Sequence, residues 1–174
     1  MGEGFHLTSA SDGVFFDLWA KNSPRRFAWT DPNFHNGWLA LDRNHNGQID
    51  NGSELFGSAT PQPPLKKGEI ANGFRALAML DQAENGGNHN GFIDPGDQGY
   101  SQLLLWVDAN HDGFSQANEL RSLAAAGVHR IDLNYSESQL KDKFGNLFFY
   151  KAGIWDQDDN PAGRYAWDVF LTKE

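Results

Sequence analysis

The sequence predicts a single α+β domain over residues 1–174, with acidic loops, short helices and an antiparallel sheet near the C-terminus. Three observations lead to this class. Three stretches rich in Asp, Asn and Gly lie between apolar segments, and 13 Phe, 6 Trp and 4 Tyr supply large side chains for a core. The last third of the chain contains three aromatic runs separated by turn residues, which is typical of an antiparallel sheet.

Composition excludes several classes of function. The net charge of −9 disfavours nucleic acid and anionic membranes as partners, because both bind basic surfaces. The chain has no cysteine, so it can form no disulfide, thiolate metal site or cysteine nucleophile. No apolar run approaches the roughly 18 residues of a membrane span. The start of the chain is not a signal peptide and is typical of an expression start or of a cut from a longer polypeptide.

The N-terminal part of the chain predicts β-structure. Two aromatic runs, residues 14–18 and 26–29, flank a Lys-Asn-Ser-Pro turn, which is the pattern of a hairpin. Pro24 and Pro32 oppose a helix in this region. Residues 37–41 predict a further strand, which leads into the first acidic loop.

Residues 42–54 resemble an EF-hand calcium loop in their spacing. Such a loop offers oxygen ligands at positions 1, 3, 5, 7, 9 and 12 around a glycine at position 6, because Ca²⁺ takes six to eight oxygens. The candidate ligands are Asp42, Asn44, Asn46, Gln48 through its carbonyl, Asp50 and Glu54. Gly47 is the turn residue, whereas Glu54 comes one position later than in a standard loop. The alternative is a hairpin turn followed by a helix that Ser53 caps.

A second acidic stretch follows a predicted helix over residues 73–81, which Asn72 can cap. Residues 59–68, with three prolines, predict a surface loop before that helix. The candidate ligands of the second stretch are Asp81, Asn88, Asn90, Phe92 through its carbonyl, and Asp97. Asp81 can be the first ligand only if the insert at residues 82–87 bulges out. The alternative is an ordinary Asn/Gly-rich surface loop.

Residues 108–119 match the EF-hand loop most closely. The candidate ligands are Asp108, Asn110, Asp112, Phe114 through its carbonyl, and Glu119. Asp, Asn and Gly are common in ordinary polar turns, which are the alternative here, but Glu119 at the twelfth position makes the match specific. Helices are predicted before the loop, over residues 97–104, and after it, over residues 116–125, where Gly127 is the stop. Strands are predicted over residues 128–135, 146–151 and 164–171.

Other chemistry finds little support in the sequence. His45, His89 and His111 lie beside loop ligands, but no two histidines have the i, i+4 spacing of helical zinc ligands and HExxH is absent. We therefore interpret them as solvent-facing loop residues. No GxSxG, Walker or GxGxxG motif is present, and no catalytic residue is predicted.

Four stretches together resemble a known family. They are residues 13–18, 41–57, 106–120 and 127–135, and they extend over nearly the whole chain. In these stretches the chain resembles the calcium-binding self-processing module of repeat-in-toxin (RTX) proteins of Gram-negative bacteria, and related bacterial EF-hand-like domains. The resemblance implies a secreted, extracellular protein. In self-processing members it also implies calcium-dependent cleavage of an Asp-Pro bond at the N-terminal edge of the module.

The chain departs from that family in two respects. No Asp-Pro pair precedes Gly4, and Asp31-Pro32 and Asp94-Pro95 do not lie at the matching place. The segment after Asp17 carries a calcium loop in the family, but here Trp19 and Lys21 occupy the ligand positions, so we predict no metal there.

The sequence thus predicts a non-enzymatic calcium-binding module, ordered by two or three Ca²⁺ ions. We expect a monomeric structural domain that forms part of a larger secreted bacterial polypeptide. The alternative is a calcium-dependent autoproteolytic module that cleaves an Asp-Pro bond and whose upstream scissile site is missing here. A calcium sensor is disfavoured, because sensor grooves are rich in methionine and this chain has two.

Overall fold

A computed structural model describes residues 4–174, which form ten β-strands, one α-helix and two 3₁₀ helices. The strands are β1 (Val14–Phe16), β2 (Arg25–Phe27), β3 (Trp38–Ala40), β4 (Phe92–Ile93), β5 (Leu104–Trp106), β6 (Leu120–Ser122), β7 (Arg130–Asp132), β8 (Ser136–Lys141), β9 (Leu147–Trp155) and β10 (Pro161–Phe170). The helix is α1 (Gly73–Leu77), and the 3₁₀ helices are Ala83–Asn85 and Gln98–Gln102. No helix in residues 4–174 is long and apolar enough to cross a membrane.

The predicted α+β class is wrong, because the described chain is mostly β. Helix α1 has five residues; Asn72 caps it by accepting the backbone N–H of Arg75, as predicted, but the helix stops at Leu77 rather than at residue 81. The helix predicted over residues 116–125 does not form. Its middle part, Leu120–Ser122, is strand β6, which pairs with β5 so that Leu120 lies beside buried Trp106. Tertiary packing therefore overrides local helix propensity in this segment.

The predicted N-terminal hairpin is confirmed. Strands β1 and β2 pair antiparallel, with Val14 opposite Phe27. Their buried side chains pack against a cluster in which Trp29 and Trp106 are fully buried, with ring centroids 5.4 Å apart. This aromatic cluster connects the hairpin to the central sheet.

The central sheet, β3-β5-β6, positions two of the acidic loops. Strand β3 precedes the Asp42 loop and β5 precedes the Asp108 loop, and the two pair antiparallel with Trp38 opposite Trp106. The strand predicted at residues 37–41 is thus confirmed. The helix predicted over residues 97–104 is a short 3₁₀ turn, Gln98–Gln102, followed by β5.

The C-terminal sheet has the strand order β10-β9-β7-β4, with β8 paired to β9. Strands β7, β9 and β10 correspond to the three predicted strands, whereas β8 was not predicted. Strand β4 lies within the Asp81 loop and pairs with β7, so that Ile93 is opposite Ile131. Both isoleucines are buried in the second core cluster, which anchors this loop to the sheet.

Asp168 on β10 gives a testable pH dependence of stability. Burial raises the pKa of this carboxyl from 3.8 to about 6, although the nearby backbone N–H of Gly73 favours its charged form. The folded state binds the proton more tightly than the unfolded state, so the free energy of unfolding falls as pH rises from 3.8 through about 6. We expect Asp168→Asn to raise the free energy of unfolding at pH 7 by about 1–3 kcal/mol and to change it little at pH 3. Urea unfolding at both pH values measures the two effects; an equal effect at both would contradict the assignment.

Candidate metal centre

The Asp108 loop is held by its own carboxylates. Asp108 accepts the backbone N–H groups of Asp112 and Gly113, at 3.1 and 2.9 Å. Glu119 accepts those of Asn110, at 3.4 Å, and Gln116, at 3.3 Å. In loop numbering, the first carboxylate binds the fifth and sixth N–H groups, and the last binds the third and ninth. We call this pattern the carboxylate frame.

The Asp42 loop has the same carboxylate frame. Asp42 accepts the N–H groups of Asn46 and Gly47 at 3.2 and 2.8 Å. Glu54 accepts those of Asn44, at 3.4 Å, and Asp50, at 2.8 Å. Glu54 therefore takes the place that Glu119 has in the Asp108 loop, although it comes one position later in the sequence. The helix that Ser53 would cap does not form, because the chain makes a turn at residues 51–54, where the N–H of Glu54 binds the carbonyl of Asn51.

The Asp81 loop also has the frame, and its insert bulges out. Asp81 accepts the N–H groups of Asn90 and Gly91, each at 3.0 Å. Asp97 accepts those of Asn88, at 3.0 Å, and Asp94, at 2.9 Å. The insert folds into the 3₁₀ helix Ala83–Asn85. The insert thus has the outward bulge that Asp81 would need in order to act as the first ligand.

Side chains at the third and fifth positions lie on one side of each loop. In the Asp108 loop, the amide of Asn110 donates to Asp112 at 2.8 Å, and Asp112 also accepts the amide of Gln116 at 2.8 Å. In the Asp42 loop, the amides of Asn44 and Asn46 both donate to Asp50, at 2.9 and 2.7 Å. The ninth position thus takes part in both loops. Gln116 was not among the predicted ligands, although counting to the ninth position of the loop would have identified it.

The fourth and sixth positions share a left-handed backbone in all three loops. His45, His89 and His111 have φ of 58°, 56° and 58°, and the glycines that follow them by two residues have φ of 83°, 82° and 76°. His45 and His89 are exposed, as predicted. His111 is half-buried instead, and its Nε2 lies 2.7 Å from the carbonyl oxygen of Asp12. The Asp108 loop is therefore also tied to the N-terminal hairpin.

Two glycines of the frame allow a matched test of this packing. A Cβ at Gly113 would lie 2.9 Å from the carbonyl oxygen of Phe15 and 3.0 Å from Val14, whereas a Cβ at Gly47 would meet nothing within 4 Å. Both positions are left-handed, which costs about 1–2 kcal/mol with alanine. We expect Gly47→Ala to lower the free energy of unfolding by that amount, and Gly113→Ala by about 1–3 kcal/mol more. Chemical unfolding of both variants checks this; equal losses would contradict the contact.

The Asp42 and Asp108 loops contact each other at their eighth positions. The hydroxyl of Ser115 accepts the backbone N–H of Ile49 at 2.6 Å, and both residues are buried. The chain enters and leaves both loops in the same way, since the N–H of Leu41 donates to the carbonyl of Glu54 and that of Val107 donates to the carbonyl of Glu119. No motif in the sequence indicated Ser115 as a link.

Charge in the loops is concentrated and buried. Glu54, Asp81, Asp97, Asp108 and Glu119 are all at most 4 % exposed. Burial raises the pKa of Asp108, and the neighbouring charges of Glu119 and Asp112 add to the rise, while N–H bonds from Gly113 and Asp112 oppose it. The three ion pairs found in residues 4–174 involve none of these carboxylates.

The donors of the loops fit a hard cation in kind, since they are carboxylate, amide and carbonyl oxygens. Across residues 4–174, however, no three His, Cys, Asp or Glu groups lie close enough to hold an ion between them. In all three loops the first and last carboxylates accept backbone N–H groups instead. A carboxylate has about four lone-pair sites, so these bonds leave acceptor capacity on each oxygen.

A fourth loop has part of the frame without the donors. Asp17 accepts the backbone N–H groups of Lys21 and Asn22, at 3.1 and 2.7 Å. Trp19, at the third position, packs its ring edge-to-face on Phe27. The loop therefore keeps the backbone geometry while its third and fifth positions carry no oxygen ligand, which is the basis of the prediction that it binds no metal.

The chain is similar to a known domain family and to part of a longer bacterial protein. A family model described as the SPM domain matches residues 1–172. The iron-regulated protein FrpA of Neisseria meningitidis serogroup C is 39 % identical over 164 residues. That match covers 92 % of this chain and 14 % of the relative, so the chain spans about one seventh of the length of that protein.

Proposed function

The chain belongs to the SPM domain family, and we propose that it is a calcium-binding module that orders part of a longer bacterial protein. The observation that carries the proposal is the carboxylate frame, which recurs in three loops of different length. Five carboxylates of the three frames are buried, and in residues 4–174 no basic side chain forms an ion pair with them. A bound divalent cation would compensate that charge, because uncompensated buried carboxylates are costly.

Three groups of residues would hold the ions. The first is Asp108, Asn110, Asp112, the carbonyl of Phe114 and Glu119; the second is Asp42, Asn44, Asn46, the carbonyl of Gln48, Asp50 and Glu54; the third is Asp81, Asn88, Asn90, the carbonyl of Phe92 and Asp97. Calcium would supply positive charge to each of these groups of oxygens. We rank the loops in this order, because Asp97 is shorter than a glutamate and reaches less far as the last ligand. Two or three ions are therefore proposed.

The longer protein and its location are further parts of the proposal. FrpA is about seven times as long as the matched segment, which supports a module within a larger polypeptide. The resemblance to RTX proteins supports secretion from a bacterial cell. In an extracellular setting, millimolar calcium would keep even modest sites of this kind loaded.

Terbium luminescence tests the Asp108 loop directly. Tb³⁺ is an oxygen-seeking cation of similar size to Ca²⁺, and the indole N–H of Trp106 lies 3.4 Å from Glu119, close enough for Trp106 to sensitise the ion. We expect tryptophan-sensitised emission that excess Ca²⁺ abolishes. Asp108→Asn should remove most of it, whereas Asp17→Asn, the same change in the loop without ligands, should leave it intact. Equal emission from both variants would refute binding at Asp108.

The family resemblance also suggests calcium-dependent cleavage after an aspartate that precedes proline. Both such carboxylates are engaged elsewhere: Asp31 accepts the N–H of Asn33 at 2.9 Å, and Asp94 accepts that of Gly96 at 2.7 Å. Since attack on its own carbonyl requires the aspartate to be free to turn back, we expect no cut at either bond. Incubation with calcium followed by intact-mass measurement should show one species. Fragments ending at Asp31 or Asp94 would instead support self-cleavage.

A further inference from the structure

Strand β10 is the longest strand of the described chain and lies at the edge of its sheet. It pairs antiparallel with β9 along Pro161–Phe170, and no other strand of residues 4–174 pairs with it. Its second edge therefore presents backbone N–H and C=O groups without ladder partners. Exposed edges of this kind accept an additional strand from another segment.

A cavity of about 1160 Å³ follows that edge. Twelve consecutive residues, 162–173, line it, whereas β9 contributes Phe148 and Ile154. Successive side chains of a strand point to opposite faces of the sheet. A cavity that lay on one face alone would therefore meet alternate residues of both strands, whereas this cavity meets every residue of β10 from Ala162 to Phe170 and so reaches its edge.

Much of the remaining lining is apolar. Two further consecutive runs, residues 35–39 and residues 55–59, belong to it. They include Trp38, Leu55 and Phe56, which offer apolar surface to the side chains of an inserted strand. The cavity is thus a groove that is lined by a strand edge together with aromatic and aliphatic side chains.

Two indole donors in the groove have no partner within the described chain. The indole N–H groups of Trp29 and Trp38 are buried without a hydrogen-bond acceptor, and Trp29 is 0 % exposed. Both residues line the groove. Buried donors of this kind call for acceptors, which the carbonyl groups of an extended backbone would supply.

The charge at the middle of the β10 wall favours a basic side chain at that point. Asp168 lies there and forms no ion pair within residues 4–174. Arg164 and Lys173 lie four and five residues away along the chain, where Arg164 donates to the carbonyl of Gly127 at 2.7 Å and the ammonium group of Lys173 lies 4.5 Å from the ring centroid of Trp19. A side chain that enters beside Asp168 would therefore meet its carboxylate.

We propose that this groove receives an extended apolar segment of the same longer polypeptide, which pairs with the free edge of β10 and places a lysine or arginine against Asp168. The origin of this segment in the same polypeptide rests on the proposed function, because it requires the chain to be a module of a longer protein. Gly4 and Phe5 also line the groove, so a covalently linked segment has a short route to it. A covalent link gives such a segment a millimolar effective concentration without any new contact.

Hydrogen exchange on two fusions tests the groove. The probe strand Thr-Val-Thr-Val-Lys-Val-Thr-Val-Thr is joined to the N-terminus through a flexible Gly/Ser linker, and the matched control carries Glu in place of Lys. We expect the lysine probe to slow amide exchange in residues 161–170 at least tenfold and the glutamate probe to slow it much less. Strand β8, which also has a free edge, is the internal control and should be unchanged. Asp168→Asn should remove the difference between the two probes.

The origin of the segment in the groove is tested by hydrogen exchange on the longer polypeptide itself, without a probe. We expect the amides of residues 161–170 to exchange more slowly in the longer polypeptide than in the isolated chain. Equal exchange in the two proteins, or protection that appears in the isolated chain as its concentration rises, would overturn the proposal, the latter in favour of a second copy. Equal exchange in the two probe fusions would overturn the charge selection. Calcium titration of the same fusions keeps a failure here distinct from a failure of metal binding.

Discussion

Saturating calcium is expected to raise the thermal unfolding midpoint of the chelator-stripped chain by about 16–32 °C. At a thousandfold excess over the dissociation constant, each ion that binds only the folded state adds about 4 kcal/mol. For a chain of this size, each kcal/mol corresponds to about 2–4 °C. Two occupied loops therefore give the stated range, and a third site would add to it. Differential scanning calorimetry with calcium and with chelator measures the shift.

The charge of the metal-free loops favours binding of a cation. Burial raises the pKa of Asp108, and Glu119 and Asp112 raise it further, so the metal-free loop carries electrostatic strain. The Asp42 and Asp108 loops also contact each other through Ser115 and Ile49, so ordering of one supports the other. Magnesium is the control, because it dehydrates reluctantly and demands a tighter octahedron. A calcium shift no larger than that of magnesium would contradict the expectation.

Replacing Glu54 and Glu119 together by glutamine is expected to abolish most of that calcium stabilisation. Each glutamate closes its loop by accepting backbone N–H groups from opposite ends of the loop: Glu54 accepts Arg43 and Asp50, and Glu119 accepts Ala109 and Gln116. The two N–H groups bind different carboxylate oxygens, and glutamine has only one acceptor oxygen, so each loop loses one of these bonds together with the charge and the bidentate carboxylate that calcium needs. We therefore expect a lower free energy of unfolding without calcium as well as a lower calcium affinity of both loops.

A matched double variant controls for the change in net charge. Glu84→Gln with Glu137→Gln removes the same two charges from exposed positions outside the three proposed ligand groups. We expect it to retain the full calcium shift, whereas Glu54→Gln with Glu119→Gln should retain only what the Asp81 loop supplies. If both double variants respond alike to calcium, the two glutamates do not hold ions. Calorimetric melts of the two proteins, with and without calcium, make the comparison.

The positions of the loops were predictable because their ligand spacing is local. Counting from Gly47 and Gly113 located both carboxylate frames, and counting back from Gly91 located the third. The condition on Asp81 could be written from the sequence, but its outcome depended on whether the insert folds outward, which Ala83–Asn85 achieves by a 3₁₀ turn. Metal occupancy itself stays a prediction.

The helices were not predictable in the same way, because long-range pairing decided them. Residues 116–125 have helix-favouring composition, yet Leu120 pairs opposite Trp106 in β6 and β5, and burial of that pair outweighs propensity. The contact between Ser115 and Ile49 joins residues 66 positions apart, and no local pattern reports it. The groove along β10 likewise depends on which edge of the sheet stays unpaired. These features arise from the assembly of strands rather than from any single stretch.

Isothermal titration of the chelator-stripped chain with calcium measures metal binding itself. We expect two or three sites, with the Asp108 loop filled first, so that Asp108→Asn removes the tightest site from the isotherm. Absence of binding heat at several temperatures, together with an unchanged melting point, would show that the loops do not bind calcium. The three loops would then be Asn- and Gly-rich turns that hold their shape through backbone hydrogen bonds alone.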